Sequence, residues 1–244
     1  MPDLDRALER AYALRKAPEV GGTPPSPHFP VEPAPPDALE WPETVLALED
    51  RHGERFEKMA ETLIESGARK QCRVLLFTSC HRAEGRTTLV LTLARALARR
   101  PIRTLVVDAD LSGPMLARSL GIRPAAGLDD VIHEGISLAD AILEPPGGRL
   151  AFLPLRAAVP RPRDFLTDPA WSCSMARLRR DFDLVLLDGS PLFTGLSAAV
   201  LHRSVDAAIL VYHHGLTGER ALIRAREVLA AGGIPLMGLA ETFA

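Results

Sequence analysis

Lysine, tyrosine and cysteine are all scarce in this chain. Of its 29 basic residues only Lys16, Lys58 and Lys70 are lysines, so an arginine standing where other chains carry lysine is partly background. Three cysteines, Cys72, Cys80 and Cys173, are too few and too irregularly spaced for a disulfide framework or a zinc site. No apolar run approaches the ~18 residues of a membrane span. One of the longest candidates, Leu89–Ala98, is interrupted by Arg95. The opening Met1-Pro2-Asp3-Leu4-Asp5 lacks the apolar core of a signal peptide. Neither sign of charge dominates: 31 acidic residues face the 29 basic ones, which excludes a strongly basic nucleic-acid binder and an acidic tail protein. The expectation is a cytoplasmic chain with no nucleic-acid partner.

What is present is enough for a core. With 244 residues and a hydrophobic share of 47%, the chain has the composition of an ordinary folded domain. Leu4, Ala7, Leu8, Ala11 and Leu14 recur at spacings of three and four, which predicts a short amphipathic leader helix within 1–17. Nine prolines between Pro18 and Pro42, with Gly21-Gly22, then predict a semi-extended linker over 18–43. The compact domain is expected over 44–244.

Inside it, Phe56, Met59, Ala60, Leu63 and Ile64 form a helical stripe ahead of a first apolar run, Val74–Thr78. Further runs of strand length follow at Thr104–Ala109, Leu150–Leu155, Asp183–Asp188, Ala207–Tyr212 and Leu236–Ala240. Helical patterns occupy the gaps, notably Thr87–Arg99, Ala170–Arg180 and Gly218–Ala231. Near-continuous apolar strands alternating with helices predict an α/β fold: a doubly wound, mostly parallel sheet with helices on both faces.

Ligands of such sheets bind at the carboxyl ends of the strands. After the first strand comes Thr78-Ser79-Cys80-His81-Arg82-Ala83-Glu84-Gly85-Arg86-Thr87-Thr88, opening a helix. Strand, loop and helix with Gly-basic-Thr-Thr is the layout of a phosphate-binding P-loop, whose backbone N–H groups and helix N-terminus face a polyphosphate. Arg86 takes the lysine position and Cys80 the first glycine position. No Gly-x-Gly-x-x-Gly follows the strand, which disfavours a dinucleotide site. The second strand ends Asp108-Ala109-Asp110 and the fourth ends Asp188-Gly189-Ser190-Pro191, carboxylates placed to face a metal or orient a nucleophile. His213-His214 suggests a metal pair, yet adjacent residues of an extended chain point to opposite sides. Tyr212, at a strand end, is expected to pack as an aromatic.

These motifs, in this order, resemble the MinD/ParA-type P-loop ATPases and, within them, the bacterial tyrosine kinases of exopolysaccharide and capsule biosynthesis. The likeness runs over residues 44–244 and includes Gly127-Leu128-Asp129-Asp130-Val131-Ile132-His133-Glu134-Gly135 and Leu153-Pro154-Leu155. It implies ATP and Mg²⁺ as ligands, transfer to protein tyrosine as the reaction, and a membrane chain-length regulator of polysaccharide export as partner. It also implies a homo-oligomer and recruitment to the inner membrane face by that partner. By position it implies that Ala83, Glu84, Gly85, Arg86, Thr87 and Thr88 hold the nucleotide. Thr87, Asp108 and Asp188 would face Mg²⁺, and Asp108, Asp110 and Arg86 would serve the chemistry.

The chain departs from the pattern at several of these places. Arg86 replaces lysine, Ser112 stands where an arginine is usual, Gly189 where threonine is common, and Thr242 near an asparagine that reads adenine. His81 stands where partitioning ATPases carry a second lysine, and the ring-assembly motif is replaced by Phe56-Glu57-Lys58-Met59-Ala60. Only Tyr12 and Tyr212 are available as tyrosines, with no C-terminal cluster. Two expectations follow: an ATP-dependent kinase or ATPase that tolerates Arg86, or a catalytically degenerate regulatory module of a polysaccharide assembly complex. A positioning ATPase of the MinD/ParA kind is a weaker third.

Overall fold

The computed structural model describes residues 39–70, 72–194, 201 and 203–243. The expected leader helix, Tyr12 and all of the expected linker but residues 39–43 lie outside the described residues. Strands β1 (Val74–Ser79), β2 (Thr104–Ala109), β3 (Leu150–Leu153), β4 (Leu184–Gly189), β5 (Ala207–His213) and β6 (Leu236–Thr242) form one sheet in the order β3-β2-β4-β1-β5-β6. Every neighbouring pair is parallel.

The helices are α1 (Glu43–Lys70), α2 (Arg86–Ala98), α3 (Leu116–Ser119), α4 (Leu128–His133), α5 (Leu138–Ala141), α6 (Pro162–Thr167), α7 (Pro169–Asp181) and α8 (Glu219–Ala231). Each strand feeds alternate side chains to opposite faces, as a pleated backbone must. Leu75 and Phe77 of β1 join Val106, Leu186 and Ile209 in a core covered by α1, α2 and α3. Val74 and Leu76 join Leu105, Val107, Leu187 and Leu210 in a second core covered by α4 to α8. That is why the inner strands read as unbroken apolar runs: both faces are dry. α7 starts where Asp168 caps it, accepting from the Ala170 N–H at 2.8 Å, with Pro169 in the first turn.

β3 and β6 are the two edge strands; β3 is buried, whereas β6 is only partly covered. Tyr212 at the end of β5 is therefore half-buried beside its β6 neighbour Glu241. This corrects the expectation of a packed aromatic: the edge strand offers too little cover. Hydrogen bonding to Glu241, the Glu241 charge and above all partial burial hold the Tyr212 phenol above its usual range. His213 and His214 also find separate partners. His213 stacks on Phe243 with centroids 4.4 Å apart, while His214 Nδ1 lies 2.6 Å from Glu241.

A candidate phosphate site at the carboxyl ends of β1, β2 and β4

The loop 80–85 leaves β1 at the middle of the sheet and turns into α2. Gly85 caps that helix with φ of +80°, a left-handed conformation natural only to glycine. A side chain there would also press on Thr242 Cγ2 at 3.3 Å. Ala83 holds φ of +60° without being glycine. Glu84 is buried and pins the loop from inside: its carboxylate accepts from the His81 N–H at 2.8 Å and from the Thr217 hydroxyl. Its carbonyl accepts from Thr242 Oγ1 at 2.9 Å. Thr242, in the position linked by resemblance to adenine reading, thus anchors the loop.

With the loop held this way, none of the backbone N–H groups from Arg82 to Thr88 donates to a protein acceptor among the described residues. Consecutive unpaired N–H groups above a helix N-terminus make a concave, electropositive cradle for an anion. Cys80 at its entrance is buried, and burial, with the nearby Glu84 charge, pushes its thiol up to about 11, so it behaves as an apolar residue.

Beneath the cradle lie three buried carboxylates. Parallel pairing sets Asp108 of β2 directly beside Asp188 of β4. Burial and then this like charge push Asp108 up to about 7. Burial likewise raises Asp188 to about 6, against the lowering influence of Arg86 and Thr87. Arg86, only 9% exposed, reaches across: Nη1 donates to Ser79 Oγ at 2.7 Å and Nη2 to Asp110 Oδ2 at 2.9 Å. Its Nε lies 3.8 Å from Asp188 Oδ1. Thr87 Oγ1 donates to Asp188 Oδ2 at 2.6 Å. Asp110 also accepts from Ser190 Oγ at 2.9 Å and from the half-exposed Arg82 at 3.3 Å.

The residues singled out from sequence therefore gather in one place, with a division of labour. Thr87 and Asp188 meet, and Arg86 meets Asp110 and Asp188. Asp108 is spent on the loop after β2, its oxygens accepting from the N–H groups of Asp110, Met115 and Leu116 at 3.2, 3.0 and 2.9 Å. Ser79, Arg82, Ser190 and Thr217 escaped the sequence reading. Ser190 stands two residues past Asp188 and Arg82 lies within the loop, so proximity to the motifs was their signal. Thr217 is 133 residues from Glu84 and carries no local signal.

Thr87 and Asp188 have the hard oxygen donors that suit Mg²⁺, and Asp188 Oδ1 is buried, accepts no hydrogen bond and faces Arg86 Nε at 3.8 Å, so the pair fits such an ion. Asp108 contributes little to that fit, because three backbone donors already occupy it. Gly189 follows in a tight place: a Cβ there would come within 2.5 Å of Leu76 Cδ1 and 3.1 Å of the Phe77 carbonyl oxygen, so a larger residue requires Leu76 to repack.

The parallel sheet order, the cradle and the acidic strand ends make up the fold of the MinD/ParA-type P-loop NTPases. No family model matches the chain. Tyrosine-protein kinase CpsD of Streptococcus agalactiae serotype III is 25% identical over 202 residues, spanning 82% of this chain and 86% of that protein. The kinase domain of the Escherichia coli tyrosine kinase ETK superposes with a TM-score of 0.72 at 22% identity, covering 82% of this chain and 81% of that one. The septum site-determining protein MinD of Pyrococcus horikoshii OT3, in complex with Mg-ADP, superposes with a TM-score of 0.57 at 24% identity over 68% of each chain. These structural likenesses establish the fold. The chain is similar in sequence to bacterial tyrosine-protein kinases and shares its fold with them and with the MinD-type P-loop ATPases. Among the described residues no helix is long and apolar enough to cross a membrane.

Proposed function

We propose that this chain is a divergent, tyrosine-kinase-like P-loop protein of exopolysaccharide biosynthesis that takes ATP on the loop between β1 and α2. The observation that carries the reading is the uninterrupted row of unpaired N–H groups from Arg82 to Thr88 at the start of α2. In this assignment the backbone of 83–88 receives the phosphates, while Thr87 and Asp188 hold Mg²⁺, which when bound offsets phosphate charge. Arg86 is the basic group of the site, Asp110 its buried counter-charge, and Asp108 sets the loop after β2. The partner class is a membrane chain-length regulator of polysaccharide export, which would bring the chain to the inner membrane face, with self-association as a second level of assembly. Titration of Mg-ATP into the full chain is expected to show binding at roughly micromolar Kd, weakened by Arg86→Ala. Absence of binding up to about millimolar ATP removes the nucleotide reading.

A second reading has its own observation. Arg86 is seated between Asp110 and Asp188 and committed to both, a guanidinium fork where the P-loop pattern calls for the compact ammonium of a lysine. A regulatory module with little phosphoryl transfer fits that arrangement. Phosphate transfer by the natural protein favours the kinase. Transfer or hydrolysis that arises only in Arg86→Lys favours the regulator.

A further inference from the structure

Resting on the ATP reading above, we propose that Arg86 acts as a built-in counter-cation, so that the loop holds the phosphates of a nucleoside triphosphate without requiring Mg²⁺. In a polyphosphate site the metal offsets charge on the phosphate oxygens and ties them to protein oxygens. Here a permanent positive charge already occupies the neighbourhood. The Arg86 guanidinium is 9% exposed and contacts Asp110 at 2.9 Å and Asp188 at 3.8 Å. A second guanidinium, Arg82, reaches the same Asp110 oxygen at 3.3 Å from a half-exposed position on the loop itself.

Donor capacity points the same way. A guanidinium offers five N–H donors in a fixed fork that matches phosphate oxygens two at a time, whereas an ammonium is a point charge. Nε of Arg86 is buried and makes no hydrogen bond among the described residues; it faces Asp188 Oδ1 at 3.8 Å, too far to spend its N–H there. Above it are the unpaired N–H groups from Arg82 to Thr88, which bind anions with no metal at all. The metal side of the site is correspondingly engaged. The Thr87 hydroxyl hydrogen is already given to Asp188 Oδ2 at 2.6 Å, and a divalent ion at Asp188 would stand close to a buried cation in a poorly screened place. Mg²⁺ retains donors here, but phosphate binding does not wait on it.

The test is calorimetric titration of ATP into the full chain, once in Mg²⁺ and once in EDTA, for the natural protein and Arg86→Lys. The natural protein is expected to keep its Kd within about threefold between the two solutions, and Arg86→Lys to lose at least about tenfold in EDTA. Binding by the natural protein in Mg²⁺ that disappears in EDTA overturns the proposal and leaves the ATP reading standing. Absence of binding in both solutions overturns the ATP reading and this proposal with it. An Arg86→Lys variant as indifferent to EDTA as the natural protein overturns the role of Arg86. The comparison on the natural protein decides the main point whether or not the variant folds.

Discussion

Ala83 shows how much a single dihedral angle can cost. It sits at φ of +60° in the middle of the phosphate loop, where an L side chain is disfavoured by roughly 1–2 kcal/mol. Gly85, two residues on, needs the same half of φ space and is glycine. Ala83→Gly is expected to stabilise the chain by about 0.5–1 kcal/mol, the relief of strain being partly offset by the freer unfolded glycine. Urea unfolding of the two proteins measures this, and an unchanged or lower midpoint would show that Ala83 is not strained. The sequence revealed that Ala83 belongs to the loop, but not that it adopts this conformation, which the pins at Glu84 and Thr242 impose from distant segments.

Pairing between β2 and β4 has consequences of its own. Parallel register places Asp108 beside Asp188, two carboxylates from strands far apart in sequence. Both are held above the ordinary carboxylate range, at about 7 and about 6, chiefly by burial. Between pH 4 and 7 the folded chain therefore binds more protons than the unfolded one, so stability falls as pH rises through that window. Glu49 is shifted the other way, held low by hydrogen bonds from Arg99 and Arg95 that outweigh its partial burial, and its contribution is lost only as pH falls toward the low end. The urea midpoint is expected to be higher near pH 5 than near pH 8. A profile that is flat or rising over that interval would contradict the buried pair. The strands carrying these acids were legible as apolar runs with acidic ends. The neighbours were not, because strand order is a property of the assembled sheet.

At the scale of the molecule, two dry cores lie back to back on one sheet, and each has a tryptophan near it. Trp41 packs edge-on to Phe152 with centroids 6.0 Å apart, under the Arg95 guanidinium, on the α1/α2 side. Trp171 is buried on the α7 side, its indole N–H donating to Ser204 Oγ at 2.8 Å. Because every inner strand contributes to both cores, neither can melt alone, and unfolding is expected to be a single transition. In Trp41→Phe and Trp171→Phe variants the remaining tryptophan should report the same urea midpoint as the far-UV circular dichroism of that variant. Separate midpoints would mean that the faces unfold independently.

By itself the sequence determined the six strands, the long helices between them and the loop that follows the first strand. Those features depend on periodicity and on residues close together in the chain, and strand boundaries fell within two residues of those observed. The short helices α3 to α6, of four to six residues, carry too little periodicity to be read in this way. The tertiary structure alone decided that β4 inserts between β2 and β1, and this decided the chemistry of the site. It brought Asp188 to Thr87 across 101 residues and Ser190 to Asp110 across 80. It also gave Asp108 to the backbone of its own loop and Arg86 to the remaining acids. Side-chain types fix which groups are available, but burial and cross-strand register fix which of them share a charge.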